Sequence, residues 1–258
     1  MGAFPQIMIR KFYIFVLLAL PATAAAQTAD EIVAKSLAAR GGVEKIKAVQ
    51  AQRISGTISF GQDAEGPFVI ELKRPLKLHM EVTLAGQKLV RVYNGKGAGW
   101  TVNPFAEDHS PQPMAAEDMK NIDDEADFDG PLVDYKAKGN QLELQGKDQV
   151  EGKEAFKIKM TKASGDSRIY FIDTTNYQVV KWEGTTHLED RDVLVQNHLR
   201  DYRDVNGLQF PFEIDSDSPD SPQQRKITIE KIELDPKIEE ARFGKPAAAV
   251  GGAPRKNN

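Results

Sequence analysis

A mainly β fold with helices, of the α+β class, follows from three features of the chain. The hydrophobic period is 3.6 before Gln52 and 2 after it. Turn dipeptides recur at the 8–12-residue spacing of antiparallel barrels and sandwiches. One stretch, Pro111 to Tyr135, loses the period-2 pattern and regains a helical one. About ten strands with one inserted helix are expected.

The elements follow in order. Arg10 and Lys11 precede an apolar run from Phe12 to Leu20, then Pro21 and the small residues Ala22-Thr23-Ala24-Ala25-Ala26. A basic start, a short apolar stretch and a small-x-small end predict a secretory signal, cleaved after Ala26 or, as the alternative, after Ala24. The apolar run is about half the ~20 residues of a membrane span. The chain has no cysteine. It therefore has no disulfide, no thiol nucleophile and no cysteine to carry a lipid anchor. Removal of Arg10 and Lys11 moves the formal net charge from −4 to −6. That balance argues against nucleic acid and against a polybasic membrane contact. A soluble, monomeric, periplasmic protein is the expectation.

Thr28 and Glu31 form a capping box at the first helix. Ile32, Val33, Leu37 and Ala38 make its apolar stripe, Gly41-Gly42 ends it, and a short turn follows from Val43 to Val49. Alternation then sets in: Leu76, Leu78, Met80, Val82 and Leu84 against Lys77, His79, Glu81 and Thr83. Phe156, Ile158 and Met160, and later Leu208, Phe210, Phe212 and Ile214, repeat the pattern. Asn94-Gly95, Gly139-Asn140, Glu151-Gly152, Gly165-Asp166 and Asn206-Gly207 mark turns. Ile227/Ile229 and Ile232/Leu234 have opposite parity, which predicts a β-bulge near Glu230. Between strands 100–105 and 142–146, Met119, Ile122 and Ala126 predict a helix over 115–126, and Pro131 stops it. The small, polar residues 247–258 predict a disordered tail.

Catalytic motifs are missing. His79, His109, His187 and His198 have no metal-ligand spacing, and His79 falls on the wet face of its strand. There is no nucleophile elbow and no Walker loop. Gly95–Gly99 reads as a plain hairpin turn, since no helix follows it. Glu125-Ala126-Asp127-Phe128-Asp129-Gly130 starts like a calcium loop, but Lys136 holds the twelfth position, so a solvated acidic helix end fits better. No cofactor and no enzymatic activity are expected. Arg74 shares the apolar parity of Phe68, Ile70 and Leu72. Either a polar partner comes to it, the inserted helix being nearest, or Pro75 turns it into water. Trp100, Phe105, Phe171, Trp182, Phe210 and Phe212 supply aromatic mass from separate strands. They fill the core of a closed sandwich or line the cavity of an open barrel.

Two segments resemble the LolA family of periplasmic lipoprotein carriers. One is Leu72-Lys73-Arg74-Pro75; the other is Asn94-Gly95-Lys96 with Trp100 and Asn103-Pro104-Phe105, one hairpin later. Ile238 to Phe243 with Pro246 is a weaker match, and the whole similarity spans residues 28–246. The resemblance implies a half-open antiparallel β-barrel over residues 27–246, with an N-terminal helix and a helical lid. It implies that an inner-membrane ABC transporter hands over a lipoprotein's acyl chains, or a lipid, for delivery to an outer-membrane acceptor. It makes Arg74 the latch that bonds the lid. It also assigns Leu72, Leu78, Met80, Val82, Trp100, Phe105, Phe171, Trp182, Phe210 and Phe212 to the hydrophobic cavity, and Met119, Ile122 and Phe128 to the lid. The acidic lid region Asp123–Asp129 and an extra hairpin, Asp201-Tyr202-Arg203 to Phe210-Pro211-Phe212, depart from the family pattern. A periplasmic lipid or lipoprotein sensor acting through a protein partner is the alternative. A hydrolase is disfavoured by the missing catalytic residues.

Overall fold

The computed structural model describes residues 27–61, 64–188, 191–219 and 221–247. The expected signal peptide (1–26) and all but the first residue of the expected tail lie outside them. Helices α1 (Ala29–Ala39) and α2 (Val43–Ala48) lead into strands β1 (Ala51–Phe60), β2 (Ala64–Lys73), β3 (Lys77–Leu84), β4 (Gln87–Tyr93), β5 (Gly99–Val102) and β6 (Gln112–Pro113). Helix α3 (Ala116–Ala126) interrupts the strands. Then come β7 (Gln141–Val150), β8 (Lys153–Thr161), β9 (Ser167–Asp173), β10 (Val179–Leu188), β11 (Arg191–Val205), β12 (Leu208–Ser218) and β13 (Ser221–Leu234), and a 3-10 helix at Glu240–Phe243. The count among the described residues is thirteen strands, against about ten expected; β6 is too short to leave a period in sequence.

All thirteen form one antiparallel sheet, in the order β6-β5-β4-β3-β2-β1-β13-β12-β11-β10-β9-β8-β7. β1 and β13, far apart in sequence, meet in the middle. The two ends of the sheet do not pair, so it is an open barrel rather than a closed one. Local chemistry sets the joints. Thr28 and Glu31 exchange the two bonds of the capping box, at 3.2 and 2.9 Å. Glu151-Gly152, Asn206-Gly207 and Ala85-Gly86 all take the positive φ that tight hairpins demand. The register of β1 against β13 slips at Glu230, where Ser55 faces Lys231 and Gly56 faces Ile229. A Cβ on Gly56 would lie 2.1 Å from the Thr228 carbonyl, so the bulge requires glycine there.

One face of the sheet is apolar, and all three helices sit on it. Ile32 and Val33 of α1 pack against Phe156, Ile158, Met160, Tyr170 and Ile172. Leu37 packs at the edge of that cluster as expected, but Ser36 is buried and Ala38 is exposed. Ile46 of α2 joins Ile58, Phe68, Val82, Phe210 and Phe212. Ile122 and Ala126 of α3 pack on Leu72, Leu78 and Tyr93.

The opposite face has its own cover near β1–β3. Ile238 and Phe243 of the C-terminal segment bury Ala51. Beneath the 3-10 helix, Arg242 bonds Glu71 at 2.7 Å and Glu81 at 3.0 Å, and Arg53 reaches Glu71 at 2.9 Å. His79 is therefore not on a wet face. It points away from Leu78 as the alternation requires, but it is only 5% exposed. Its Nδ1 lies 2.7 Å from the Arg242 carbonyl and its Nε2 3.0 Å from Glu81.

Burial raises the Glu81 pKa, but hydrogen bonds from Lys88, His79 and Arg242 outweigh it and hold the carboxyl at about 2. Glu71 is likewise lowered: burial raises it, and Arg242 and Arg53 more than reverse that. A depressed carboxylate contributes stability above its ordinary pKa near 4.5, and that stability is lost as pH falls towards the folded value. Thermal melts should therefore fall from pH 5 to pH 2.5, and Arg242→Gln should flatten that fall. Parallel curves for the two proteins would show that the C-terminal cover does not depend on these carboxylates.

Candidate functional site

The inner apolar face is closed by residues 114–133 rather than by more sheet. Met114, Ile122 and Ala126 fill the space over Leu72, Leu78 and Tyr93. Val133 enters the cluster around Phe68, Val82 and Phe210, and Leu132 enters the one around Ile158 and Tyr170. One segment thus seals three core clusters. Met119 and Phe128 are half-buried at its edges. A Cβ on Gly99 would meet the sulfurs of Met114 and Met119 at 2.6 and 2.9 Å, so the lid lies close on β5.

Arg74 fastens this segment. Its guanidinium makes a two-pronged pair with Asp129, Nη2–Oδ1 2.6 Å and Nη1–Oδ2 2.9 Å. It also donates to the carbonyls of Val49, at 2.8 Å, and Ile46, at 3.3 Å, and lies 4.7 Å over the Phe128 ring. One side chain therefore ties together the end of α2, the end of β2 and the turn after α3. Asp129 is buried, and the Arg74 side chain is 30% exposed. Arg40, at the end of α1, donates to the Phe128 carbonyl at 3.0 Å and to the Asp129 carbonyl as well. Sequence reasoning missed Arg40. Its signal was a long cation directly before Gly41-Gly42, where the helix end leaves it free to reach sideways.

The acidic lid is not a solvated helix end. Its carboxylates bridge the two walls of the open sheet. Glu125 pairs with Arg91 on β4 at 2.8 Å. Asp124 pairs with Lys162, just after β8, and lies 3.7 Å from Arg168 on β9. Asp127 pairs with Lys138. Burial, and then a hydrogen bond with Asp123, raise the Tyr93 hydroxyl. The described residues contain no group of acids and histidines suited to hold a metal ion.

The expected cavity residues divide between the two faces. Leu72, Leu78, Met80, Val82, Trp182, Phe210 and Phe212 face inward. Trp100 does not: it pairs with Val92, which pairs with His79, so it shares the outer face. Phe171 pairs with Lys157 on the outer face and packs with Val150 and Ala155, under the ammonium groups of Lys157 and Lys181. Phe105 lies in the loop after β5 and is 55% exposed. In each case aromatic character was legible but the face was not: Trp100 lies in a four-residue strand, Phe105 lies beyond its end, and Phe171 lies in the unbroken apolar run Ile169-Tyr170-Phe171-Ile172.

A mostly apolar cavity of about 200 Å³ lies between α1 and β9–β12, where Leu37, Arg40, Leu132, Trp182, Tyr202 and Phe210 meet. That is below the roughly 300–1,000 Å³ of a typical small-molecule site. Burial pushes the Tyr202 hydroxyl up, and it donates to the Val179 carbonyl at 2.6 Å. A larger hollow, about 360 Å³, is a polar surface notch beside Glu154 and Asp173. Neither hollow has the size and apolar lining that a long apolar guest needs.

No protein-family model matches the chain, and no curated protein matches it in sequence. Solved structures do. A DUF1329 family protein from Desulfovibrio piger superposes with a TM-score of 0.58 at 9% identity, covering 85% of this chain and 98% of that one. A LolA superfamily protein from Nitrosomonas europaea gives 0.53 at 13% identity, over 85% and 99% of the two chains. A domain from Vibrio parahaemolyticus, described by its link to outer membrane lipoprotein sorting, gives 0.55 at 8%, over 84% and 96%. The open thirteen-stranded sheet and its inner helices are accordingly the LolA-like open-barrel fold.

Proposed function

We propose that this protein is a periplasmic carrier that holds the acyl chains of a lipoprotein or lipid under a movable lid, and that it works by binding rather than by catalysis. The observation that carries this reading is how the apolar face is covered. A sheet that needed only a core would close on itself or keep its cover by apolar packing. Here a separate segment, 114–133, lays apolar side chains on all three clusters and is fastened besides by ion pairs at Arg74, Arg91 and Lys162. Ion pairs at a half-exposed boundary are exchangeable with water, whereas a close-packed core is not. In this reading the ion pairs exchange with water and α3, whose apolar stripe is narrow, lifts off the sheet. The lipoprotein-sorting description of the Vibrio structure supports the same reading. In this scheme a single copy receives cargo from an inner-membrane ABC transporter and passes it to an outer-membrane acceptor. Native mass spectrometry of the purified protein, with and without an acylated peptide offered from detergent, tests it directly. Failure to take up any acyl chain would overturn it.

Two further measurements follow. Replacing Arg74 by Leu removes a charge-assisted pair worth about 1–3 kcal/mol and leaves an apolar side chain in its place. The fold should survive, while lid opening shifts by a factor of roughly ten to a hundred. Hydrogen exchange in 115–130 should speed up by that factor and cargo exchange should change with it. Unchanged exchange in both would reduce Arg74 to a structural strand end.

The second concerns Met80, which packs between two of the inner clusters. Met80→Glu places a charge where an acyl chain would lie. Lipid binding per folded molecule should fall at least about tenfold, as read by quenching of Trp182. If stability collapses and binding per folded molecule is unchanged, Met80 belongs to closed core only.

A further inference from the structure

The inner face carries cations that an apolar barrel does not need. Arg91 stands opposite Met80, and Arg168 opposite Met160, so both project onto the apolar side. Arg225 on β13 shares that side, opposite Phe60 and Ser216. In the closed lid Arg91, Lys162 and Arg168 are neutralised by Glu125 and Asp124. Arg225 pairs with no carboxylate among the described residues. Its hydrogen bond there is to the Ser216 hydroxyl, 3.1 Å away.

A row of polar groups leads inward from Arg225. With Arg225 donating to its oxygen, Ser216 donates in turn to Asn197 Oδ1 at 2.7 Å. Asn197 is 1% exposed, and its Nδ2 has no partner. A buried amide with unused N–H groups is costly and is rare in folded proteins. What is left without a partner in this row is the Asn197 amide N–H, beside the guanidinium of Arg225, so it suits a group rich in acceptors. Asn197 also stands opposite Trp182, a wall of the apolar cavity, and Arg168 lies 4.3 Å over the Trp182 ring. The apolar space and the cationic row therefore meet at one tryptophan.

We propose that the inner mouth binds the phosphate of an acyl-chain lipid through Arg91, Lys162, Arg168, Arg225 and Asn197 Nδ2, and that Asp124 and Glu125 of the lid hold Arg91, Lys162 and Arg168 when the lipid is absent. The inference rests on the carrier reading above and names its cargo as a phospholipid. An acylated cysteine offers uncharged ester and amide carbonyls and has no use for four cations. A phosphate spreads negative charge over oxygens that guanidinium forks match in pairs. Replacing lid carboxylates by phosphate also keeps Arg91, Lys162 and Arg168 paired throughout opening, which avoids stranding those charges against an apolar wall.

The test titrates the mature chain at low salt with dihexanoyl phosphatidylglycerol, dihexanoylglycerol and inorganic phosphate, following tryptophan fluorescence. The phospholipid should bind about tenfold or more tighter than the neutral diacylglycerol. Arg168→Gln combined with Arg225→Gln should erase that preference by bringing the affinity for the phospholipid down to that for the neutral diacylglycerol. Asp124→Asn combined with Glu125→Gln, on the exposed side of the lid, should strengthen phospholipid binding about severalfold. This lid variant decides the matter if the arginine variant does not fold, and an unchanged affinity in it overturns the proposal. Equal affinity of the wild-type chain for both lipids also overturns the proposal while the carrier reading stands. Inorganic phosphate binding as tightly as the phospholipid would make this a free-phosphate site and overturn the lipid assignment. Binding of neither lipid overturns both readings.

Discussion

An antiparallel sheet that does not close has one apolar face to cover and two edges to protect, and the structure is organised around that requirement. Edges are the lesser problem. β6 is two residues long and ends in Pro113. β7 is a longer edge, but it is kinked at Gly146, where its register against β8 slips. Both are ordinary ways to blunt an edge. The face is the greater problem. It is shared among α1, α2 and residues 114–133, and only the last of these spans from one wall of the sheet to the other. The Arg74–Asp129 pair is where these covers meet, because Arg74 also holds the last carbonyls of α2. Removing it unfastens two covers from one point.

How the charges are distributed distinguishes a lid from a core element. Helix α1 meets the sheet chiefly through the buried apolar Ile32 and Val33, with Ser36 beside them, and the contacts of its Asp30 with Lys136 and Tyr135 lie at the surface. Helix α3 is different. It packs through Ile122 and Ala126 and carries carboxylates on both sides of that narrow stripe. Apolar contact of that size is modest at about 25 cal/mol per Å². Ion pairs add a contribution that depends on partners and on salt. The result is a cover whose closed state is specific but shallow.

Much of this was legible in the sequence. The capping box, the bulge at Glu230, the inserted helix and the alternating strands all follow from local rules, because each depends on residues within one or two turns or on a strict period of two. Arg74 was legible as a problem, a charge on an apolar parity, but its solution was not, because Asp129 lies 55 residues away. The outward facing of Trp100 and Phe171 was hidden for a related reason. Composition shows which residues are aromatic, and only register shows which side they take. His79 failed in the opposite sense: its parity was right, but a segment 163 residues later covers it. What a sequence period cannot show is which distant segment arrives to bury a face.

That limit also explains the inner cations. Arg91, Arg168 and Arg225 each sit among alternating residues as one charge, unremarkable alone. They come together because β4, β9 and β13 place them on the same curved face, and the lid supplies carboxylates to two of them. The apolar face and the cationic mouth are thus built from the same strands and covered by the same helix. In the proposed opening both are exposed at once, so an apolar guest and a negative charge gain access in a single movement. A guest that offers both compensates for both halves of the exposed surface, and one that offers only chains leaves the cations unpaired. The energetic preference for an amphipathic guest follows from the shared cover, whichever strand is considered first.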